Sequence, residues 1–81
     1  MPITEAIRLK LDDFLAYSDR GQAYCALRNL EKAMSDYDEA IRLNPNYADA
    51  YLFRGDLYAQ TGNRSKAEAD YATSKWLKIG Q

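Results

Sequence analysis

Apolar and small residues recur along this chain at helical rather than alternating spacing. In its second half they include Ala50 and Leu57, and Tyr51 and Tyr58, two pairs that are each separated by two helical turns. Residues that favour strands are scarce, since Val is absent and Ile and Thr are few. The pattern therefore predicts an all-α protein.

Residues that begin and end helices divide the chain into pairs of helices. Asp12 or Asp13 can begin a first helix, Asn29 can begin a second, and Asn44-Pro45 ends it. The second half repeats this order, with Asn46 and Asp49 at a start, Gly62 at an end, Asn63 at the next start and Leu77 to Gly80 at the last end.

The chain repeats itself with a period of 34 residues. When 14–47 is aligned with 48–81, 11 of the 34 positions are identical, and the pentapeptide at 5–9 recurs at 39–43. Periods of this length are typical of arrays of helical hairpins. We therefore expect one domain, 1–81, made of a partial repeat helix (1–13), repeat 1 (14–47) and repeat 2 (48–81).

The repeated positions resemble the tetratricopeptide repeat. Repeat 2 contains Tyr51-x-x-Arg54-Gly55-x-x-Tyr58, and repeat 1 contains the same pattern. The arginine stands where the family usually has an apolar residue, which is typical of its Arg-Gly variant subtype. The resemblance covers essentially the whole chain. It implies an all-α solenoid of antiparallel helical hairpins, with two full repeats plus a partial N-terminal helix.

The resemblance assigns most of the repeated residues to packing. A glycine lets the second helix of a hairpin approach the first, and an alanine offers the small facing surface. Arg20 and Asp36 recur together as Arg54 and Asp70, so we predict an ion pair between the two helices of each repeat. The expected structural core of the repeats is Tyr17, Gly21, Tyr24, Ala33, Tyr37, Tyr51, Gly55, Tyr58, Ala67 and Tyr71.

A binding surface also follows from the resemblance, because the family binds peptides and partner helices on a concave face lined by the first helix of each repeat. Asp49 and Asp56 on this face would suit a partner carrying Lys or Arg, or would merely keep the face soluble. Some members of the family hold chaperone tails with Lys, Arg and Asn on this face, but none of these residue types occurs at the corresponding positions here, so binding of such tails is disfavoured. The predicted partner contacts are Leu15, Ser18, Gln22, Cys25, Asp49, Leu52, Asp56 and Ala59, with Ala26 and Gln60 beside them.

Composition narrows the classes of function. A formal net charge of −1 gives no electrostatic reason to expect a nucleic-acid or membrane partner. Histidine, the commonest general base, is absent, Cys25 is the single cysteine, and the four glycines are isolated. Neither a zinc site, a Cys–His nucleophile nor a phosphate loop is therefore expected. We predict no enzymatic activity, no metal and no cofactor, and a cytoplasmic protein, because an unpaired thiol suits a reducing compartment.

Two other functions stay open besides binding a protein or peptide. Repeat arrays usually need about three units with polar caps, so Trp76 and Leu77 near the end of the last helix could contact a second copy in a homo-oligomer. An RNA-binding helical repeat would share the hairpin plan. Its surface would typically be basic, whereas Asp49 and Asp56 are acidic.

Overall fold

The computed structural model describes the backbone of residues 3–80 and the side chains of residues 13–80. Met1, Pro2 and Gln81, which belong to the predicted units 1–13 and 48–81, lie outside the described residues. No strand occurs within 3–80, and no helix there is long and apolar enough to cross a bilayer. The helices are α1 (Ile3–Ala26), α2 (Leu30–Leu43), α3 (Ala48–Gln60) and α4 (Arg64–Ile79).

The helices pack as two consecutive hairpins. Helix α1 packs mainly against α2, and α3 against α4, while α3 also contacts α2 and, to a smaller extent, α1. Turns of three residues join the helices within each hairpin, which makes them antiparallel neighbours. The predicted all-α array of helical hairpins is confirmed.

Helix α1 is longer than the sequence predicted. It runs without a break from Ile3 to Ala26, so the helix start predicted at Asp12 or Asp13 is wrong. The reason lies in the alignment of the repeats, because the position equivalent to the helix-ending Pro45 is Leu11. With neither proline nor glycine between Ile3 and Arg20, nothing forces the helix to end.

The second helix of each hairpin begins as predicted. Asn29 and Asn63 are the N-cap residues of α2 and α4, and each side chain accepts a hydrogen bond from the backbone N–H three residues later. The predicted cap at Asn46 is wrong, since Tyr47 precedes α3 without a capping side chain. The Asn46 N–H instead binds the Asn44 side chain at 3.1 Å within the turn.

The two hairpin turns have the same backbone shape despite different residues. Gly62 has φ +85°, which glycine adopts freely, and Arg28 has φ +64° at the equivalent position. A side chain at positive φ costs about 1 kcal/mol. The first turn is therefore the more strained of the two.

The repeat glycines contact tyrosine rings rather than the alanines expected opposite them. A Cβ at Gly21 would lie 2.6 Å from Cε1 of Tyr37, and one at Gly55 would lie 2.9 Å from Cδ1 of Tyr71. The alanine contributes only in repeat 2, where the Ala67 carbonyl oxygen would lie 3.2 Å away. In each hairpin a tyrosine ring therefore occupies the space that the glycine leaves.

The predicted ion pair is present in both hairpins. The guanidinium of Arg20 donates two hydrogen bonds of 2.8 Å to Asp36. That of Arg54 donates bonds of 2.8 and 2.9 Å to Asp70. Arg54 also donates to Asp38 of repeat 1 at 3.0 Å, which joins the two repeats. These carboxylates raise the pKa of both arginines further above its usual value.

Most of the predicted core tyrosines are only half-buried, because they flank these arginines. Arg54 lies 5.7 Å from the ring centres of Tyr51 and Tyr58. Arg20 lies 5.4 Å from the ring centre of Tyr17 and 5.7 Å from that of Tyr24. The buried core lies instead at the junction of the repeats. It consists of Ala33, Tyr37 and Leu57, with Tyr24, Cys25, Leu30, Met34 and Phe53 packed around them.

Candidate functional site

A depression opens to solvent between α1 and α3, on the face where partner contacts were predicted. Its volume is about 200 Å³, which suits one large side chain of a partner rather than a whole small-molecule ligand. We call it the central depression. It is lined by Gln22, Cys25, Tyr37, Phe53, Asp56, Leu57 and Gln60.

The floor of the central depression is apolar and well packed. The rings of Tyr37 and Phe53 lie 6.0 Å apart; Tyr37 belongs to the core at the junction of the repeats, and Phe53 packs against that core. The Cys25 sulfur lies 3.5 Å from the Tyr37 hydroxyl. Burial, and then the Cys25 thiol, raise the pKa of Tyr37 above the usual phenol value. The floor is therefore a fixed platform supported by both repeats.

The rim of the central depression carries polar groups. Gln22 and Gln60 are exposed amides on α1 and α3, and Asp56 is an exposed carboxylate on α3. Asp56 Oδ1 accepts a hydrogen bond of 2.6 Å from the Tyr71 hydroxyl, which raises the pKa of Tyr71. A carboxylate can accept several hydrogen bonds, so Asp56 retains capacity for a cationic group of a partner.

A second depression lies at the other end of the same face, and we call it the Leu15 depression. Its volume is about 470 Å³. Within it, Asp49 forms an ion pair of 3.4 Å with Lys78 of α4, and both side chains are about half exposed. Such a pair is weak, so a partner cation can replace Lys78 at small cost. The lining residues are Phe14, Leu15, Asn44, Asn46, Tyr47, Ala48, Asp49 and Lys78.

The face that carries both depressions is negatively charged. Asp19 lies one turn before Gln22 on the same side of α1 and adds a third carboxylate to Asp49 and Asp56. Asp49 and Asp19 both act to raise the pKa of Tyr47, after the larger effect of burial. Lys78 is the one basic residue that lines either depression.

Comparison with known proteins identifies the family. A family model for the TPR repeat matches residues 21–62. The chain belongs to the tetratricopeptide repeat (TPR) family. No curated protein gives a match to the chain. TPR repeats generally mediate protein–protein interaction, bind proteins or peptides, and are typically not enzymatic.

Not every predicted contact residue lies on the accessible TPR face. Ser18 has no exposed surface, so it cannot touch a bound peptide. It is enclosed where the start of α3 lies near α1, with Tyr47 beside it. Ala59 lines a different depression, beside α4 on the outer side of repeat 2. Leu52 is half-buried and lines neither depression.

The structure brings several of the other predicted residues together. The central depression is lined by four of them, Gln22, Cys25, Asp56 and Gln60. The Leu15 depression is lined by Leu15 and Asp49. Trp76 is exposed on α4, whereas Leu77 is half-buried and turned inward.

Sequence reasoning missed the floor of the central depression, including Phe53 and Tyr37. Phe53 aligns with Asp19, so a search for shared positions passes over both. Tyr37 was assigned to repeat packing alone, yet its ring also lines the central depression. The available signal was the unique aromatic residue at position 53, one residue before the repeated Arg54-Gly55 pair.

Proposed function

We propose that this TPR protein binds a short peptide or partner helix that carries both an apolar anchor and basic residues. The observation that carries this proposal is the central depression, with its aromatic floor and its rim of amides and a carboxylate. An apolar side chain of the partner would enter it against Phe53 and Leu57. Its volume of about 200 Å³ matches an anchor of that kind.

The charge of the face supports a basic partner rather than an acidic one. Asp56 would accept a hydrogen bond from a Lys or Arg close to the anchor. Asp49 would take a second cation in exchange for Lys78, because their exposed pair is easily opened. The amides of Gln22 and Gln60 would pair with the peptide backbone. This favours a binding role for the carboxylates over a role in solubility alone.

The proposal also includes the subtype of the repeats, a role without catalysis and the cellular compartment. The recurrence of Arg20-Gly21 as Arg54-Gly55, with the same bidentate carboxylate in each hairpin, supports the Arg-Gly variant subtype. The repeats would act as a binding module without catalysis. The unpaired Cys25 thiol favours a reducing compartment such as the cytoplasm.

A second candidate function is homo-oligomerisation, which the exposure of Trp76 supports and which is compatible with peptide binding. RNA binding is less favoured, because Asp19, Asp49 and Asp56 would repel a phosphate backbone on the face between α1 and α3.

The proposal is tested by selecting peptides against the purified chain from a displayed random library. Selected sequences are expected to combine an aromatic or aliphatic residue with Lys or Arg, and their affinities are then measured by calorimetry. Asp56→Lys should weaken binding about tenfold or more at low salt, because it replaces attraction by repulsion. Glu31→Lys on α2 makes the same charge change away from the face and should have little effect.

The proposal is refuted if the selected peptides carry no basic residues, or if Asp56→Lys and Glu31→Lys weaken peptide binding equally. Circular dichroism of each variant confirms that the helices are retained, since both substituted residues are exposed.

A further inference from the structure

Helix α4 has an apolar stripe on the side that faces away from its own hairpin. Ala69, Ala72, Trp76 and Ile79 follow at steps of three, four and three residues, so they share one side of the helix. All four are exposed, Trp76 by 74% and Ile79 by 69%. The buried residues of α4 lie on the opposite side. We call these four residues the outward stripe.

The repeat architecture does not require this stripe. The equivalent residues of repeat 1 are Ser35, Asp38 and Arg42 on α2 and Pro45 after it, most of them polar. Two of them form ion pairs, Asp38 with Arg54 and Arg42 with Glu39. A TPR hairpin therefore folds with a polar outward side, and the apolar one on α4 needs another explanation. A contiguous exposed apolar surface marks a site of association.

The end of repeat 2 is a less suitable surface for association. In repeat 1 the residues that pack around the junction core include Leu30 and Met34. Their equivalents in repeat 2 are Arg64 and Glu68, which are exposed and charged. A helix that packed there as α3 packs on α2 would have to bury both charges. Association is thus favoured on the outward stripe and disfavoured at the repeat end.

The outward stripe is complementary to itself when two copies run antiparallel. Its small residues, Ala69 and Ala72, lie at one end and its large residues, Trp76 and Ile79, at the other. A twofold axis across the stripe lays the large residues of each copy on the small residues of the other. A parallel arrangement would instead set Trp76 against Trp76 and leave the alanines facing a gap.

Charge supports the same arrangement. Glu68 and Lys75 are exposed, lie two turns apart and flank the stripe on one edge of α4. In an antiparallel pair the acidic end of this edge meets the basic end of the other copy, so each Glu68 lies near the other Lys75. In a parallel twofold pair these edges would lie on opposite sides of the interface, and the attraction between Glu68 and Lys75 would be lost.

We propose that two copies of this chain associate through antiparallel packing of their α4 outward stripes. Because the stripe points away from α3, the face between α1 and α3 stays open for a peptide. One helix face is a small interface, so the dimer is weak and its population depends on concentration.

Sedimentation velocity over a dilution series tests the proposal on the intact chain. The wild type is expected to shift from 9.3 kDa towards twice that mass as concentration rises. Trp76 is the single tryptophan, so its emission should shift to the blue over the same range. Trp76→Lys should weaken association by roughly tenfold or more. Leu27→Lys, at an equally exposed residue in the first hairpin turn, should not.

Charge reversal then tests the antiparallel register. Glu68→Lys and Lys75→Glu should each weaken association, and the double variant Glu68→Lys/Lys75→Glu should restore it. A monomer at every concentration, equal effects of Trp76→Lys and Leu27→Lys, or no restoration in the double variant would each overturn the proposal. Trp76→Lys should leave peptide affinity unchanged, so this result is separable from the test of peptide binding.

Discussion

Of the two Arg–Asp pairs within the hairpins, that of Arg54 with Asp70 has the more buried arginine, and its removal gives a quantitative prediction. Two hydrogen bonds of 2.8 and 2.9 Å join them, and the side chains are 21% and 8% exposed. Arg54→Met keeps the aliphatic stem between Tyr51 and Tyr58 but leaves the Asp70 carboxylate almost buried without its cation.

The expected cost follows from this burial. Removing one partner of a fully buried ion pair lowers the free energy of unfolding by about 3–5 kcal/mol. Because Arg54 is partly exposed, we expect Arg54→Met to lower it by about 3 kcal/mol. Asp38 adds little to that figure, since an exposed pair contributes about 0–1 kcal/mol. In a double-mutant cycle with Asp70→Asn, we expect a coupling of about 1.5–3 kcal/mol, typical of hydrogen bonds to charged groups.

Urea unfolding followed by circular dichroism measures all four corners of the cycle. A parallel cycle with Asp38→Asn isolates the contact between repeats. A third, at Arg20 and Asp36, is the matched control, and its coupling should be smaller because Arg20 is 58% exposed. The reasoning is refuted if Arg54 and Asp70 couple by less than about 0.5 kcal/mol, or if the control pair couples more strongly.

Three further substitutions or conditions give measurable changes in the free energy of unfolding. Gly21→Ala should destabilise the folded protein by about 1–3 kcal/mol, since the buried Tyr37 ring cannot move away from a Cβ 2.6 Å from it. A stabilised variant would contradict this packing. Arg28→Gly should stabilise by about 1 kcal/mol by relieving the positive φ, and a loss of stability in urea would contradict the strain. Burial raises the pKa of Tyr37, and a hydrogen bond raises that of Tyr71, so the folded state holds these protons above the usual pKa of 10.0. Stability should therefore fall as pH rises above 10, and less steeply in Tyr37→Phe; equal slopes would exclude Tyr37 as a cause.

Much of the fold could be predicted because the residues that determine it occur in both repeats. The pairing of Arg20 with Asp36 follows from its recurrence at Arg54 and Asp70, since a conserved separation of 16 residues across a turn indicates facing positions. The caps at α2 and α4 were predictable for the same reason. The start of α1 was not, because helix continuity depends on the absence of a break rather than on a positive signal.

The candidate site was only partly predictable, because a binding face depends on how the repeats pack on each other. Projection onto one helix cannot show that Ser18 is covered near the start of α3, or that Ala59 faces outward beside α4. Nor can it show that Phe53 enters the floor between the repeats. These contacts are made by residues that differ between the repeats, and they can be identified only when the positions of both hairpins are known.

The central claim, that a basic peptide binds between α1 and α3, is tested most directly by mapping a selected peptide onto the chain by NMR. In a titration of the isotope-labelled protein, the largest amide shifts should fall on Gln22, Cys25, Asp56 and Gln60, with little change along Ala69 to Ile79. Shifts concentrated on the outward side of α4, with the residues of the central depression unmoved, would contradict the account.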